Sequence, residues 1–150
     1  MTARFFVDTN VLIYSYSLSE PDKQHTALEV LKYIRTKNSG AISTQVLGEF
    51  FVTATRKLTP PLTVDEAYQQ VSYFITAWTV IEMTTPLLLE ALRGVRNYQL
   101  NYWDAQIWAA ARHNRIQTVI TEDFNTGATI EGVTFINPFS QGFKLAEVLG

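Results

Sequence analysis

Short apolar runs alternate with segments of helical periodicity along the chain. The apolar runs have the length and residue types of buried β-strands, and they lie at residues 5–7, 41–44, 80–83, 118–121 and 133–136. The segments between them are typical of helices, which we expect at residues 21–38, 45–58, 64–78, from 85 onward and 102–113. Strands that alternate with helices in this way predict an α/β domain with a parallel sheet.

The segment after the second strand carries the clearest helical pattern. Its apolar residues recur at positions i, i+3, i+4, i+7 and i+11, as the series Leu47, Phe50, Phe51, Ala54 and Leu58 shows. This stripe predicts the helix face that packs on the core. Glu49 points about 160° away from the middle of the stripe, where a solvated residue is expected. Spacing alone therefore gives Glu49 no role.

The composition is that of one ordinary globular domain. The chain has 150 residues, of which 47% are hydrophobic and 17% charged, so we expect residues 1–150 to form a single domain. There are no cysteines, which excludes disulfide scaffolds, thiolate metal sites and cysteine nucleophiles. The two histidines, His25 and His113, cannot build a histidine-rich metal site. We see no apolar stretch long enough for a signal peptide or a membrane span, and we expect a cytoplasmic protein.

Four acidic residues occupy the positions where parallel α/β sheets bind ligands. Such sites lie at the carboxyl ends of strands and at the helix N-termini that follow them. Asp8 directly follows the first strand, and Asp123 lies just beyond the strand at 118–121. Asp104 falls in the first turn of a helix, and Glu49 falls in the first two turns of another. Taken singly, Asp8 and Asp123 could be turn residues and Asp104 a helix cap. Taken together, three of the four come from elements whose ends could converge on one edge of the sheet.

Converging carboxylates would need protons or cations. Two unit charges 4 Å apart repel by about 4 kcal/mol at an effective dielectric constant near 20. Oxygen ligands without histidine or sulfur favour hard ions such as Mg²⁺ or Mn²⁺, which can activate a water for attack on a phosphodiester. The formal net charge of −2 gives no strongly basic surface for a nucleic acid. Setting the four carboxylates aside leaves twelve basic and ten acidic side chains, so a polyanion can approach.

The sequence around these residues resembles the PIN-domain ribonucleases, most closely the VapC-type toxins of bacterial toxin–antitoxin pairs. The segments that carry the resemblance are FFVDTNVLIY, STQVLGEF, LNYWDAQIWAAAR, TVITEDFNTG and GVTFINPF. Each segment alone is a weak motif, but their order and spacing match over residues 4–139. The resemblance implies a three-layer α/β/α sandwich around a short parallel sheet. It also implies a metal-dependent endoribonuclease, the toxin component of a type II pair.

The resemblance assigns roles residue by residue. It implies that four acidic residues are the catalytic ligands of one or two Mg²⁺ or Mn²⁺ ions: Asp8, Glu49, Asp104 and Asp123. It implies supporting roles for the small polar residues beside them: Thr9, Asn10 and Thr121. Glu122 should point to the opposite side of the chain from Asp123, so it is left out of the ligand set. The implied partners are an RNA substrate, a small antitoxin protein and a second copy of this chain.

Further candidates for the RNA surface carry ordinary structural explanations beside the functional one. Arg93 and Arg96 lie one turn apart on a helix and could contact phosphates, or they could form an exposed basic face. Four aromatic residues could stack on bases, or they could belong to the core or to a dimer contact: Tyr98, Tyr102, Trp103 and Trp108.

Two other functions stay open at this point. The first is a phosphatase of the haloacid-dehalogenase type, which also begins with an apolar strand that runs into Asp8. That chemistry requires a second Asp two positions later, where this chain has Asn10. The second is a PIN fold that serves only for protein contact, against which four intact acidic residues argue. Metal-dependent cleavage of RNA separates the nuclease from both alternatives.

Overall fold

The computed structural model describes residues 3–150. Across these residues six strands alternate with seven helices. The strands are β1 (Phe5–Val7), β2 (Gly40–Ser43), β3 (Thr79–Ile81), β4 (Thr118–Ile120), β5 (Thr129–Ile130) and β6 (Val133–Ile136). The helices are α1 (Thr9–Tyr14), α2 (Pro21–Thr36), α3 (Thr44–Arg56), α4 (Val64–Ala77), α5 (Thr85–Tyr98), α6 (Tyr102–His113) and α7 (Leu145–Val148). The five strands expected from the apolar runs are all present, with ends shifted by at most two residues.

The strands form one sheet in the order β3-β2-β1-β4-β6-β5, in which only β5 runs antiparallel to its neighbour. All three residues of β1 are buried. Because successive side chains of a strand point to opposite faces, helices must cover both faces of the sheet there. The prediction of an α/β fold around a parallel sheet is therefore confirmed. In the centre, Val7 of β1 pairs with Ile120 of β4, so Asp8 and Thr121 leave the sheet side by side.

Polar caps fix where the helices begin. Thr63 and Glu66 form a complete capping box at the start of α4, and a Thr followed three residues later by Glu is the sequence signature of such a helix start. The side chain of Asn101 accepts hydrogen bonds from the N–H groups of Trp103 and Asp104 at the start of α6. The cap holds Asp104 in the first turn of the helix, at the end that faces the carboxyl edge of the sheet.

Three elements lie outside the expected pattern, namely α1, β5 and α7. The six residues of α1 are too few to show a helical period, although Val11 and Leu12 are buried. The hairpin of β5 and β6 turns through Glu131 and Gly132, both at positive φ (47° and 84°). Such a turn usually carries Asn-Gly or Asp-Gly, so Glu-Gly gave no hairpin signal. No helix within residues 3–150 is both long and apolar enough to cross a membrane.

Candidate active site

The four acidic residues of interest line one pocket at the carboxyl edge of the sheet. The pocket has a volume of about 680 Å³ and is lined by Asp8, Glu49, Asp104 and Asp123 together with eight other residues. An adjoining pocket of about 320 Å³ shares Asp8, Glu49 and Asp123. Within residues 3–150, the lining of both pockets contains no Lys, Arg or His. We call these four residues the carboxylate cluster.

Asp8 is the buried anchor of the carboxylate cluster, with only 3% of its surface exposed. It caps α1, and its Oδ1 accepts a hydrogen bond of 2.6 Å from the N–H of Thr9. Its Oδ2 accepts a hydrogen bond of 2.8 Å from the hydroxyl of Thr121. Burial, together with the charges of Asp123 and Glu49, raises the pKa of Asp8 to about 7, against the opposing effect of these hydrogen bonds.

Thr121 and Asn10 tie the loop after β4 to Asp8. The fully buried Thr121 hydroxyl donates to Asp8 and accepts a hydrogen bond of 3.1 Å from the N–H of Asp123. The Asn10 amide donates to Asp8 and to the Thr121 hydroxyl, each over 3.4 Å. Its carbonyl accepts from the N–H of Glu122. These bonds orient both Asp8 and the chain that carries Asp123. A supporting role of Thr121 and Asn10 in metal binding stays a prediction.

Glu49 is half-buried although it lies opposite the apolar stripe of α3. Its Oε2 accepts a hydrogen bond of 3.1 Å from the Thr9 hydroxyl, and its Oε1 accepts one of 2.7 Å from the Gln45 amide. The face of α3 away from the core is therefore a pocket wall. A helical wheel separates an apolar face from a polar one, but it cannot tell a pocket wall from open solvent.

Asp104 and Asp123 complete the carboxylate cluster from two further elements, α6 and the loop after β4. Burial and the charges of Asp123 and Glu49 raise the pKa of Asp104 above its ordinary value. Burial and the charges of Glu122 and Glu49 raise the pKa of Asp123. These carboxylates lie close enough to one another to disfavour each other's ionised forms.

The carboxylate cluster matches the donor chemistry of a hard divalent cation, because it offers carboxylate oxygens and because no Lys, Arg or His of residues 3–150 lines its pockets. Within residues 3–150, no three His, Asp or Glu side chains are arranged to hold one ion. Carboxylates without a counter-charge repel one another, so a closed ligand set would form only with a cation between them. The residues fit such an ion in chemistry and location.

Glu122 points away from the carboxylate cluster, as the sequence analysis expects. Its carboxylate accepts hydrogen bonds from Lys23 Nζ at 2.6 Å and from the Tyr14 hydroxyl at 2.8 Å. The ammonium of Lys23 also lies 4.6 Å from the centre of the Tyr14 ring. Glu122 thus fastens the loop after β4 to α1 and α2, while its neighbour Asp123 faces the pocket.

Arg93 and Arg96 differ in their surroundings. The Arg93 guanidinium donates to Glu90 and to Glu131 and lies 5.3 Å from the Trp108 ring. It is committed to carboxylates of its own chain. Arg96 is exposed and donates to the adjacent Asn97. Contact of these arginines with phosphates stays a prediction, and the structure favours Arg96 over Arg93 for that contact.

The four aromatic candidates also differ in burial and in distance from the pocket. Trp108 is fully buried and belongs to the core. Tyr98 packs edge-on against Trp108 and donates to Glu131. Trp103 is 57% exposed and lines the pocket beside Asp104, and Tyr102 packs edge-on against it at 5.1 Å between ring centres. Gly48 also lines the pocket, although no pattern in the sequence assigned it a role. Its signal was a glycine within a helix, directly before Glu49.

Solved structures share this fold at low sequence identity. The VapC20 toxin of Mycobacterium tuberculosis, described as cleaving the sarcin–ricin loop, gives a TM-score of 0.65 at 19% identity, over 85% of this chain and 97% of its own. A toxin–antitoxin complex from Klebsiella pneumoniae gives 0.64 at 21% identity, over 89% and 97%. The DNA-bound VapBC of Salmonella typhimurium gives 0.63 at 19% identity, over 89% and 97%. No protein with a curated description matches the sequence.

The sequence itself matches a family profile over most of its length. The profile of the PIN domain covers residues 5–127, a range that includes all four members of the carboxylate cluster. The haloacid-dehalogenase alternative is wrong, because the profile and the fold are those of another family and Asn10 serves as a hydrogen-bond donor to Asp8. By this match and by the architecture of its sheet, the chain belongs to the PIN domain family.

Proposed function

We propose that the protein is a divalent-metal-dependent endoribonuclease that hydrolyses phosphodiester bonds of RNA. The observation that carries the proposal is the carboxylate cluster: four acidic residues from four parts of the chain line one pocket that holds no described basic side chain. An arrangement of this kind destabilises the metal-free fold, and it is typical of a site that holds cations. PIN-family membership and the nuclease description of the VapC20 neighbour support the same reaction.

The side chains of the site divide the work of binding and orientation. Asp8, Glu49, Asp104 and Asp123 would hold Mg²⁺ or Mn²⁺, which when bound supplies charge stabilisation at the phosphate and activates water. Thr121 and Asn10 fix the direction of the Asp8 carboxylate, and Thr9 fixes that of Glu49. Partners of this kind typically change metal affinity or activity by about 10- to 100-fold. The protein needs no histidine as a general base for this chemistry.

We further propose that the protein is the toxin component of a type II toxin–antitoxin pair in the cytoplasm. Several neighbours of the same fold were solved as toxin–antitoxin complexes, including those of Klebsiella pneumoniae and Salmonella typhimurium. The proposed partners are accordingly a small antitoxin protein and a second copy of this chain. Size-exclusion chromatography with light scattering tests the proposed homodimer. A molar mass of one chain at micromolar concentration would contradict it.

Cleavage of RNA by the full chain tests the nuclease directly. Fluorescently labelled single-stranded and hairpin RNAs are incubated with purified protein in Mg²⁺, in Mn²⁺ and in EDTA. We expect cleavage with either metal and none in EDTA, and we expect none from an Asp104→Asn preparation purified in parallel, which excludes a contaminating nuclease. A non-catalytic PIN module would leave every RNA intact under all three conditions.

A further inference from the structure

Beyond the carboxylate cluster, the pocket has an apolar half. Two residues one turn apart on α3, Gly48 and Val52, line it, and so do two residues one turn apart on α6, Trp103 and Ile107. Val52 and Trp103 are strongly exposed for apolar side chains. We call the space lined by these four residues the base slot. It adjoins Asp104 in the same pocket, so a ligand held by the carboxylate cluster would have room to extend into it.

Gly48 lines the base slot without a side chain, and close packing of the chain does not require a glycine there. A Cβ atom built on Gly48 meets no atom within 4 Å. By contrast, a Cβ on Gly94 of α5 would lie 2.8 Å from the Trp108 ring, so close packing explains that glycine. Glycine inside a helix is less favourable than any residue except proline. Neither close packing nor a positive φ requires glycine at position 48, and a side chain there would project into the open space of the pocket.

Trp103 presents a braced aromatic surface at the other side of the base slot. It stands in the first turn of α6, which the Asn101 cap fixes through the N–H of Trp103 itself. The Tyr102 ring packs edge-on against the indole at 5.1 Å between ring centres. An exposed tryptophan held in this way loses little conformational freedom when it binds a flat partner.

We propose that the base slot holds a nucleobase of the RNA, stacked on the Trp103 indole, beside the phosphate at the carboxylate cluster. The inference rests on the proposed nuclease function and adds how the substrate is gripped. The charges favour this occupant: the phosphate needs the cation of the carboxylate cluster, whereas an uncharged planar base suits the apolar walls. Stacking accepts every base and contributes roughly five- to 150-fold in affinity per base. The base slot therefore selects unpaired nucleotides rather than a particular sequence.

Two competitors that differ only in their bases test the base slot. Initial rates of cleavage of a labelled RNA by the full chain in Mg²⁺ are measured with unlabelled decaadenylate or with an abasic ribose-phosphate decamer. We expect decaadenylate to inhibit at a concentration lower by roughly five- to 150-fold. Trp103→Ala should remove this advantage and leave inhibition by the abasic decamer unchanged, and Trp103→Phe should retain most of it. Gly48→Leu, which fills the base slot, should act like Trp103→Ala.

Tryptophan fluorescence gives a second readout that a purely structural role would not move. Of the three tryptophans, Trp78 and Trp108 are buried and Trp103 is exposed. Decaadenylate should quench the wild-type emission, the abasic decamer should not, and Trp103→Phe should show no quenching by either. Tyr68→Ala is the matched control, because Tyr68 is an exposed aromatic residue of α4 outside the pocket.

The outcomes separate the base slot from the nuclease itself. If the wild type cleaves RNA but binds both decamers equally, the base slot does not hold a base, whatever else covers it. If Trp103→Ala weakens both competitors alike, or stops turnover in a way that Trp103→Phe does not restore, Trp103 has a structural role and the proposal is overturned. If the wild type cleaves no RNA with either metal, the proposed function and the base slot fall together.

Discussion

Two groups of acidic side chains in this fold have opposite surroundings. In the carboxylate cluster, four acidic residues line a pocket that contains no described basic side chain. On the far side of α6, Glu90 and Glu131 are paired with Arg93 and Arg112 through four contacts between nitrogen and oxygen. We call these latter residues the arginine network. Both groups join distant parts of the chain. The negative charges of the arginine network are balanced by arginines, whereas those of the carboxylate cluster have no basic partner among the described pocket residues.

The two environments shift carboxyl pKa values in opposite directions. Burial and neighbouring carboxylates raise the pKa of Asp8 to about 7. Hydrogen bonds from Arg93 and Tyr98 lower the pKa of Glu131 to about 2. A carboxylate that is stabilised as an anion supports the fold, whereas one that is buried among like charges works against it. The arginine network therefore serves the structure, whereas the carboxylate cluster needs a ligand to explain its composition.

Removal of one charge from the carboxylate cluster should have the largest effect on activity. We expect Asp8→Asn and Asp104→Asn each to lower RNA cleavage by more than about 100-fold, the upper end of the loss when only a partner of a metal ligand is removed. Asp104→Asn should not lose stability in metal-free buffer near pH 7.5, because it removes a mutually repelled charge. Cleavage rates and thermal melting in EDTA measure the two expectations. A variant that cleaves at the full rate, or an Asp104→Asn variant that unfolds without metal, would contradict them.

Loss of a hydroxyl behind the carboxylate cluster should have the next largest effect. Thr121→Val keeps the shape of the side chain but removes the hydrogen bond to Asp8 and the acceptor for the N–H of Asp123. We expect cleavage to fall by about 10- to 100-fold and the free energy of unfolding to fall by about 1–3 kcal/mol.

A serine at this position provides the control for Thr121→Val. Thr121→Ser retains the hydroxyl, so it should restore most of the activity lost in the valine variant. Equal activity of the valine and serine variants would show that the orientation of Asp8 does not depend on this hydrogen bond.

The pH dependence of stability should have opposite signs with and without metal. Without metal, folded Asp8 keeps its proton up to about pH 7, whereas the unfolded chain releases it near pH 4. The stability contributed by protonated Asp8 is therefore complete below pH 4 and is lost as the pH rises through 7. The slope for this one proton is at most about 1.4 kcal/mol per pH unit. With metal, deprotonated ligands are required, so stability should rise over the same range.

Melting curves between pH 5 and pH 8, in EDTA and in Mg²⁺, provide the measurement. Asp8→Asn should flatten the plot of melting temperature against pH in EDTA, because the variant lacks the carboxyl group that takes up the proton. The account fails here if the wild-type curves in EDTA and in Mg²⁺ have the same slope.

A change in the arginine network should have the smallest effect on activity. We expect Glu131→Gln to leave RNA cleavage within about twofold of the wild type and to reduce the free energy of unfolding by about 1 kcal/mol, since partly exposed ion pairs contribute little. The loss should shrink at high salt, where such pairs are screened. Urea unfolding at low and high ionic strength measures it. If Glu131→Gln lowered RNA cleavage as far as Asp8→Asn does, the two acidic groups would not differ in function as proposed.

Much of the fold can be predicted from local sequence patterns, because hydrophobic periodicity and helix caps depend on residues that are close in sequence. The parallel sheet, the apolar stripe of α3 and the caps at Thr63 and Asn101 were all accessible in this way. The hairpin of β5 and β6 was not, because Glu131 stands in a left-handed turn position where Asn or Asp is usual. Its carboxylate binds Arg93 and Arg112, which are distant in sequence. Glu131 at this turn therefore makes a tertiary contact, which the local sequence pattern cannot indicate.

The candidate site likewise contains residues that local sequence could predict and residues that it could not. Asp8, Asp104 and Asp123 stand at strand ends and a helix start, where topology alone brings side chains together. Glu49 was accessible only through the family resemblance, since its partner Thr9 lies forty positions away. The base slot needed the structure as well, because a glycine inside a helix does not reveal whether a neighbour or an empty space faces it. Position in the sheet is thus predictable from sequence, whereas the walls of a pocket are not.

Direct titration of metal into the protein tests the central claim, that the carboxylate cluster holds a divalent cation. Mn²⁺ is titrated calorimetrically into the wild type, Asp104→Asn and Glu131→Gln, all freed of metal beforehand. The account predicts saturable uptake by the wild type and Glu131→Gln, and affinity at least tenfold weaker in Asp104→Asn. Absence of uptake at millimolar Mn²⁺, or the same affinity in all three proteins, would contradict it.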